Sequence, residues 1–504
     1  MSNKQVKFGA IFSYILIILN ATYGLFLTPF IIDQIGDASY GVYKTISAFT
    51  ASLMVLDLGL GGTMMRYIAK YRADSEDDKI PNFVFMGGIQ ASVICICVSI
   101  VTFVLYSFLD VIYQNGLTTE ELIEAKKMYV FLAIGIIAHV IENLINGVIS
   151  GYNRFFFANG IKIIRLIVRI SAIVVFIAWF KNPIAIVIID LLCTIFFLIA
   201  EIIYVNIILK LKIRFTRWDG SAFVESFRYT ILMFLTSIVV QANSNFSNVV
   251  IGAIINSEAV TVYSMAVMIF GMYEQLSTAI SGVMLPTVTS ALKNDDTQYT
   301  KTISIVVSAG RVQFILLGAV LVGFCILGKS FIDIWLGGGY EDVYYLVLIL
   351  LCPALLELCV NVCLSILRAK NMLGFRTIVI TLSTVLNLAI TIIGMKYIGY
   401  YSAALGTACS FLFGSVITMG IYYYKKLRIN ILHIYKKIFN RIWICQICSG
   451  LSAFAISLIF STSLLKFIGG FCSFCIVYAA SLLLFGLNNT EKQIILSKVR
   501  RNKS

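Results

Sequence analysis

Long apolar stretches, broken by short polar or charged segments, run the length of the chain. Fourteen can be marked, at about 8–32, 42–64, 83–109, 128–150, 161–180, 184–209, 229–255, 260–290, 303–328, 343–367, 375–395, 401–424, 441–461 and 464–487. Most reach the roughly 20 residues that an α-helix needs to cross a bilayer, and they are too long for core strands. With only 5 prolines in the sequence, most spans are expected to be uninterrupted helices. The division between the fifth and sixth runs rests only on Lys181-Asn182-Pro183. The pattern predicts an all-α integral membrane protein with about 14 transmembrane helices.

Composition agrees: 60% of the 504 residues are hydrophobic and 13% charged, against roughly half and a quarter in soluble proteins. The first run has no short apolar core followed by a small-residue cleavage site, so it reads as a retained span. A net charge of +14 is explained by basic cytoplasmic loops rather than by nucleic acid. When loops alternate from a cytoplasmic N-terminus, most of the 39 Lys and Arg fall inside, at Arg66–Lys79, Lys210–Arg217, Lys425–Arg441 and the tail Lys492–Lys503. The outer loops are short and often acidic, as at Asp110–Glu124. Both termini are therefore expected in the cytoplasm. Trp179 and Trp335 fall near outer ends and Trp218 and Trp443 near inner ends, as an aromatic belt requires. All 12 cysteines lie in apolar runs. The Cys445/Cys448 and Cys472/Cys475 pairs sit at unequal depths, about 10 and 18 Å for Cys448 and Cys475, and read as packing residues rather than a zinc site. No P-loop, H-E-x-x-H or strand-borne G-x-S-x-G is present. No catalytic residue, cofactor or metal is expected.

An internal repeat links the fourth and tenth runs. Glu142-x3-Asn146 followed by Arg154-x5-Gly160-x-Lys162 matches Glu357-x3-Asn361 followed by Arg368-x5-Gly374-x-Arg376. Six spans separate the copies, so the two halves share one orientation. The domains expected are a six-helix lobe over 1–215, a second over 216–430, and a helix pair with a basic tail over 431–504. Such a plan puts a binding site between the halves.

Polar residues within spans are costly and mark candidate sites. Lys162, Arg165 and Arg169, at i, i+3 and i+7, share one helix face. They form a basic stripe rising about 10 Å from the cytoplasmic end. Either it attracts an anionic head group, or its ends snorkel while Arg169 pairs with a carboxylate such as Glu142. The second half lacks the stripe, with Val379 and Ser383 following Arg376. Gln241, Asn245 and Asn248 share a face of the seventh span, with Asn243 beside them. They either bond neighbouring helices or, with Asn20, line a path for sugar hydroxyls. Asp57, Glu142, Asp190, Glu274 and Glu357 are the intramembrane acids read from the pattern. Asp57, Glu142, Glu274 and Glu357 are the candidates for binding a coupling cation. His139 reads as a packed helix residue. In Leu56–Tyr71 three glycines follow Asp57 and precede Arg66, a surface suited to close helix packing.

Several segments carry a family resemblance. They are Pro29-Phe-Ile-Ile with Ile35-Gly36, Tyr40-Gly41-Val-Tyr43, Leu56-Asp-Leu-Gly-Leu-Gly61 with Arg66-Tyr67, Met284-Leu-Pro286, and Phe331-Ile-Asp-Ile-Trp335-Leu-Gly337. Together the chain resembles Wzx-type polysaccharide-unit flippases of the multidrug/oligosaccharidyl-lipid/polysaccharide exporter superfamily. The resemblance implies two six-helix bundles plus a helix pair, located in the bacterial plasma membrane. It implies transfer of an undecaprenyl-pyrophosphate-linked glycan, such as an O-antigen, lipopolysaccharide or capsule unit, to the outer face by alternating access. The bilayer is then a partner, as are a polysaccharide polymerase and a chain-length regulator. Arg66, Arg154, Lys162, Arg165, Arg169 and Arg368 would face pyrophosphate. The resemblance fixes no sugar-contacting residues, so Asn20, Gln241, Asn245 and Asn248 stay candidates for the sugar from the residue pattern alone. Amides in the first and seventh spans, where lipid II flippases carry arginines, set this chain apart from a peptidoglycan-precursor carrier. The rival readings are a cation-coupled multidrug exporter of the same superfamily and a membrane-embedded glycan polymerase or glycosyltransferase. The short outer loops speak against the latter.

Overall fold

The computed structural model describes residues 19–20, 22–54, 59–218, 220–293, 300–369, 372–488 and 491–492. Among them nearly every residue is helical and none is in a strand. The chain divides into two compact units, Met1–Ser264 and Met265–Ser504.

The first unit holds α1 (22–35), α2 (Asp37–Leu53), α3 (Leu60–Ala73), α4 (Ile80–Tyr113), α5 (Thr119–Gly151), α6 (Phe155–Phe180), α7 (Ile184–Ile207) and α8 (Gly220–Ile254). The start of α9 (Ser257–Lys293) completes it. Helices begin and end where the sequence supplies the chemistry. Thr118 opens α5 in a reciprocal capping box with Glu121, satisfying amides the first turn leaves free. Lys181, in a left-handed conformation, closes α6. The Asn182 side chain then accepts the amide of Ile184 at the start of α7. Lys181-Asn182-Pro183 is thus a true turn between two helices.

The second apolar run departs from the expected continuous span. α2 ends at Leu53 and α3 restarts at Leu60 behind Gly59, whose φ is 67°. Only glycine takes that conformation without strain. Asp57 lies outside the described residues. Within α3 the glycines do pack closely: a Cβ on Gly61 would come 2.5 Å from the Asn143 carbonyl oxygen of α5. Across the same contact, a Cβ on Gly147 would come 2.3 Å from the Gly61 carbonyl. The resulting core of Leu60, Met64, Ile68, Val84, Val140, Leu144 and Val148 is fully enclosed.

The second unit holds the rest of α9, then α10 (Thr300–Leu336), α11 (Glu341–Cys359), α12 (Cys363–Ala369) and α13 (Leu373–Ile398). α14 (Tyr401–Cys409) passes through π-helical turns, Ser410–Thr418, into α15 (Met419–Leu427). α16 (Ile431–Phe439), α17 (Ile442–Ile459) and α18 (Ser463–Ser481) pack against α10. α16 is amphipathic, burying Ile431, Ile434, Tyr435 and Ile438. The tenth run is also interrupted, at Val360–Val362, where 3₁₀-type bonds replace the α-helical ladder.

Ten helices among the described residues are long and apolar enough to cross a membrane. α8 and α9, at 35 and 37 residues, exceed the required length. The protein is a multi-pass, all-α membrane protein.

Candidate functional site

The strongest concentration of buried charge lies where α5, α6 and α7 meet in the first unit. The i, i+4 spacing turns Arg165 and Arg169 of α6 toward α7 and α5. Arg165 pairs with Glu142 of α5 and donates to Thr194 Oγ1 of α7 at 2.6 Å. Arg169 holds Asp190 of α7 with both arms of its guanidinium, the Nη2–Oδ2 bond being 2.9 Å. The Tyr23 ring of α1 lies 5.4 Å from that guanidinium, a cation–π contact. Glu142 also faces His139 Nδ1 at 3.5 Å. One turn further along α5, Asn146 donates to Glu201 Oε1 of α7 at 3.1 Å. Glu201 is 1% exposed.

The basic stripe is therefore present but largely neutralised. Arg165 and Arg169 each have a carboxylate, and the partner of Arg169 is Asp190, not Glu142. The reason is geometric: α7 returns alongside α6 after the tight Lys181 turn, bringing Asp190 to the height of Arg169. Lys162 and Arg154 are exposed near the start of α6. Arg66, exposed on α3, lies 6.0 Å from the Tyr67 ring. A further cation, Lys44 of α2, sits 5.2 and 5.8 Å from the Tyr40 and Tyr43 rings.

The amides separate. Asn20 is exposed in the short helical segment 19–20. Asn245 and Asn248 are half-buried on α8, and Asn248 Oδ1 accepts from Ser264 Oγ at 3.4 Å. The side chains of Gln241, Asn243 and Arg368 lie outside the described ones. In the second unit, Glu274 is half-buried on α9. Glu357 lines a small cavity with Asn361, Arg376, Ser415 and Tyr423. The cavity opens where α11 breaks and the π-helical turns pass. The internal repeat thus has a physical meaning: Glu142 pairs with a cation of α6 in one unit, and Glu357 shares a cavity with a cation of α13 in the other. The cations are not equivalent, being Arg165 in one unit and Arg376 in the other.

Two charged residues were passed over in the sequence. Glu201 stands in the apolar run Phe196-Phe-Leu-Ile-Ala-Glu-Ile-Ile, the same signal that marks Asp190. Arg311, inside the ninth run, is 2% exposed on α10. It binds Glu491 through Nε and Nη2, at 2.7 and 3.1 Å, and donates to the carbonyls of Gly486, Lys437 and Asn440.

Residues 35–345 match the model of a family described as polysaccharide biosynthesis protein. The chain belongs to this polysaccharide biosynthesis family. No curated protein sequence matches this family member. Its fold is similar to that of the lipid II flippase MurJ in an inward closed conformation: 15% identity, 94% of this chain and 98% of that one covered, TM-score 0.73. It is also similar to an inward-facing multidrug resistance MATE family transporter of the MOP superfamily, with 14% identity, 83% and 99% coverage and a TM-score of 0.66. A MOP superfamily transporter from Pyrococcus furiosus matches at 12% identity, 85% and 96% coverage and a TM-score of 0.53. At these identities the likeness establishes the fold.

Proposed function

We propose that this polysaccharide biosynthesis family member is a flippase for undecaprenyl-pyrophosphate-linked oligosaccharide units. It carries them from the cytoplasmic to the outer face of the bacterial plasma membrane by alternating access. The observation that carries the reading is the polysaccharide biosynthesis family match over residues 35–345, on a fold shared with a lipid flippase. Sugar hydroxyls cannot cross hydrocarbon unsatisfied, so the glycan needs a polar protein path while the polyprenyl chain stays in lipid. The exposed Arg154 and Lys162, with Arg66 and Arg368, suit the entry of pyrophosphate, since arginine matches phosphate bidentately. Asn20, Gln241, Asn245 and Asn248 suit sugar contacts. Arg165 and Arg169 reach a substrate only by exchanging a carboxylate for it. Both termini are cytoplasmic in this reading, and a polymerase and chain-length regulator act on the product. Capsule units and the O-antigen units of lipopolysaccharide are the substrate classes that fit.

The decisive experiment is deletion of the gene in its own host. The expected outcome is accumulation of lipid-linked oligosaccharide on the cytoplasmic face with loss of surface glycan. The second reading, a cation-coupled drug exporter, is motivated by the likeness to the MATE transporter. It requires unchanged surface glycan and raised sensitivity to cationic drugs in the same strain.

A further inference from the structure

The α5–α6–α7 network contains more negative than positive groups. Its carboxylates are Glu142, Asp190 and Glu201, and its guanidinium groups are Arg165 and Arg169. Each guanidinium pairs with one carboxylate, and Glu201 is left without a cation partner in contact. One of its oxygens accepts from Asn146, while Oε2 is buried with no hydrogen-bond partner. Glu142 Oε2 is likewise buried without a hydrogen bond. An ionised carboxylate so enclosed is expensive, and the inexpensive way to keep it is to neutralise it.

We propose that Glu201 and Glu142 together hold one exchangeable proton, resident on Glu201 Oε2, and that this is the coupling-proton site of the transporter. The charges that act on Glu201 are those of Glu142 from α5 and of Lys162 and Arg165 from α6, while the neutral Asn146 of α5 donates to it. Glu142 lies one turn from Asn146 on the same face of α5, and so one turn from the residue that holds Glu201. On its other side Glu142 meets His139, whose side chain is 34% exposed. The path is therefore His139, then Glu142, then Glu201. A proton arriving on the imidazole passes to Glu142 Oε2, and from there to Glu201 as Glu142 re-forms its pair with Arg165. No group is oxidised or reduced: His139 and Glu142 each give up the proton they received, and Glu201 keeps it. When the proton leaves, Glu201 becomes a buried anion that Arg165 is positioned to neutralise. Arg165 then has two carboxylates to choose between. Its movement from Glu142 toward Glu201 is the conformational consequence of proton release.

The inference rests on the transporter reading only for the word coupling; the proton itself is testable without substrate. The probe is the purified full chain in detergent, followed by infrared difference spectroscopy across a pH titration. A protonated-carboxyl C=O band is expected, shifting on exchange into D2O and disappearing at alkaline pH. Glu201→Gln should remove the Glu201 component of it, with Glu201→Asp as the variant that retains a carboxyl if folding is in question. Monodisperse elution of each variant shows that it is folded. His139→Gln should keep the band and slow its exchange at least tenfold. Persistence of the full band in folded Glu201→Gln overturns the proposal, as does its absence from the unaltered protein. Failure of the flippase reading looks different: the band and its loss in Glu201→Gln remain, while gene deletion leaves surface glycan unchanged. If both readings hold, cells carrying Glu201→Gln export glycan at a rate that no longer varies with external pH.

Discussion

At the scale of single residues, the basic stripe on α6 shows how a buried charge is tolerated. Arg169 grips Asp190 in a bidentate pair against the Tyr23 ring. Removing one member of such a pair strands the other. Arg169→Ala should cost about 2–3 kcal/mol, less than for a fully enclosed pair, because both side chains are about a quarter exposed. Adding Asp190→Ala should recover most of that loss, read as the melting temperature in detergent. Transport separates two roles for the arginine. If Arg169 contacts pyrophosphate, the double variant folds but leaves the cell without surface glycan; if it serves only the pair, export returns with stability. The arginines and glutamates were legible as charges in apolar runs. Their pairing was not, because periodicity along one helix says nothing about which neighbour returns beside it. Glu142–Arg169 and Glu142–Arg165 are equally compatible with the sequence.

At the scale of elements, the glycines of α3 act through the distance between helix axes. Gly61 and Gly147 let α3 and α5 touch backbone to backbone. Gly61→Val puts branched carbon where a carbonyl stands, and backbone cannot yield as a side-chain tip can. A loss of roughly 1–3 kcal/mol follows from overpacking, seen as a lower melting temperature. Gly62→Ala, where a Cβ meets nothing within 4 Å, should leave it unchanged or slightly raised. The breaks in the second and tenth apolar runs belong to this scale too. Hydropathy treats 42–64 and 343–367 as continuous, since glycine and small apolar residues do not interrupt an average. The turn at Gly59 and the 3₁₀ bonds at Val360–Val362 concern backbone direction, to which hydropathy is blind.

At the scale of the whole molecule, Glu491, among the last described residues, is tied into the second unit by one arginine. Arg311 binds Glu491 as well as the carbonyls of Lys437 and Asn440 at the end of α16 and that of Gly486, beyond α18. Partial burial would raise the Glu491 carboxyl, but the Arg311 hydrogen bond and the Asn488 amide outweigh it and hold it below the usual carboxylate value of 4.5. Its folded value is thus below its unfolded one. Its stabilising contribution is complete above pH 4.5 and disappears as pH falls further. Melting temperature should drop between pH 5 and pH 3 by less in Glu491→Gln than in the unaltered protein; equal drops would show that the pair contributes nothing. The aim of Glu491 toward a buried guanidinium has no signature in the sequence, where Arg311 reads as one more basic residue of a cytoplasmic end.

Some properties follow from the order of residues alone. Sustained apolar runs dictate membrane helices because an unsatisfied backbone has no partner in hydrocarbon, and the Lys181-Asn182-Pro183 turn, the Thr118 cap and the repeated Glu-x3-Asn are all local. The family, too, is legible in residues 35–345. Tertiary structure decided the rest, because it concerns groups far apart in the chain: which carboxylate neutralises which arginine, where helices break to let backbones meet, and that Glu201 is left without a cation. Desolvation makes each of those choices costly to get wrong, and burial is a property of the packed helices, not of any one of them.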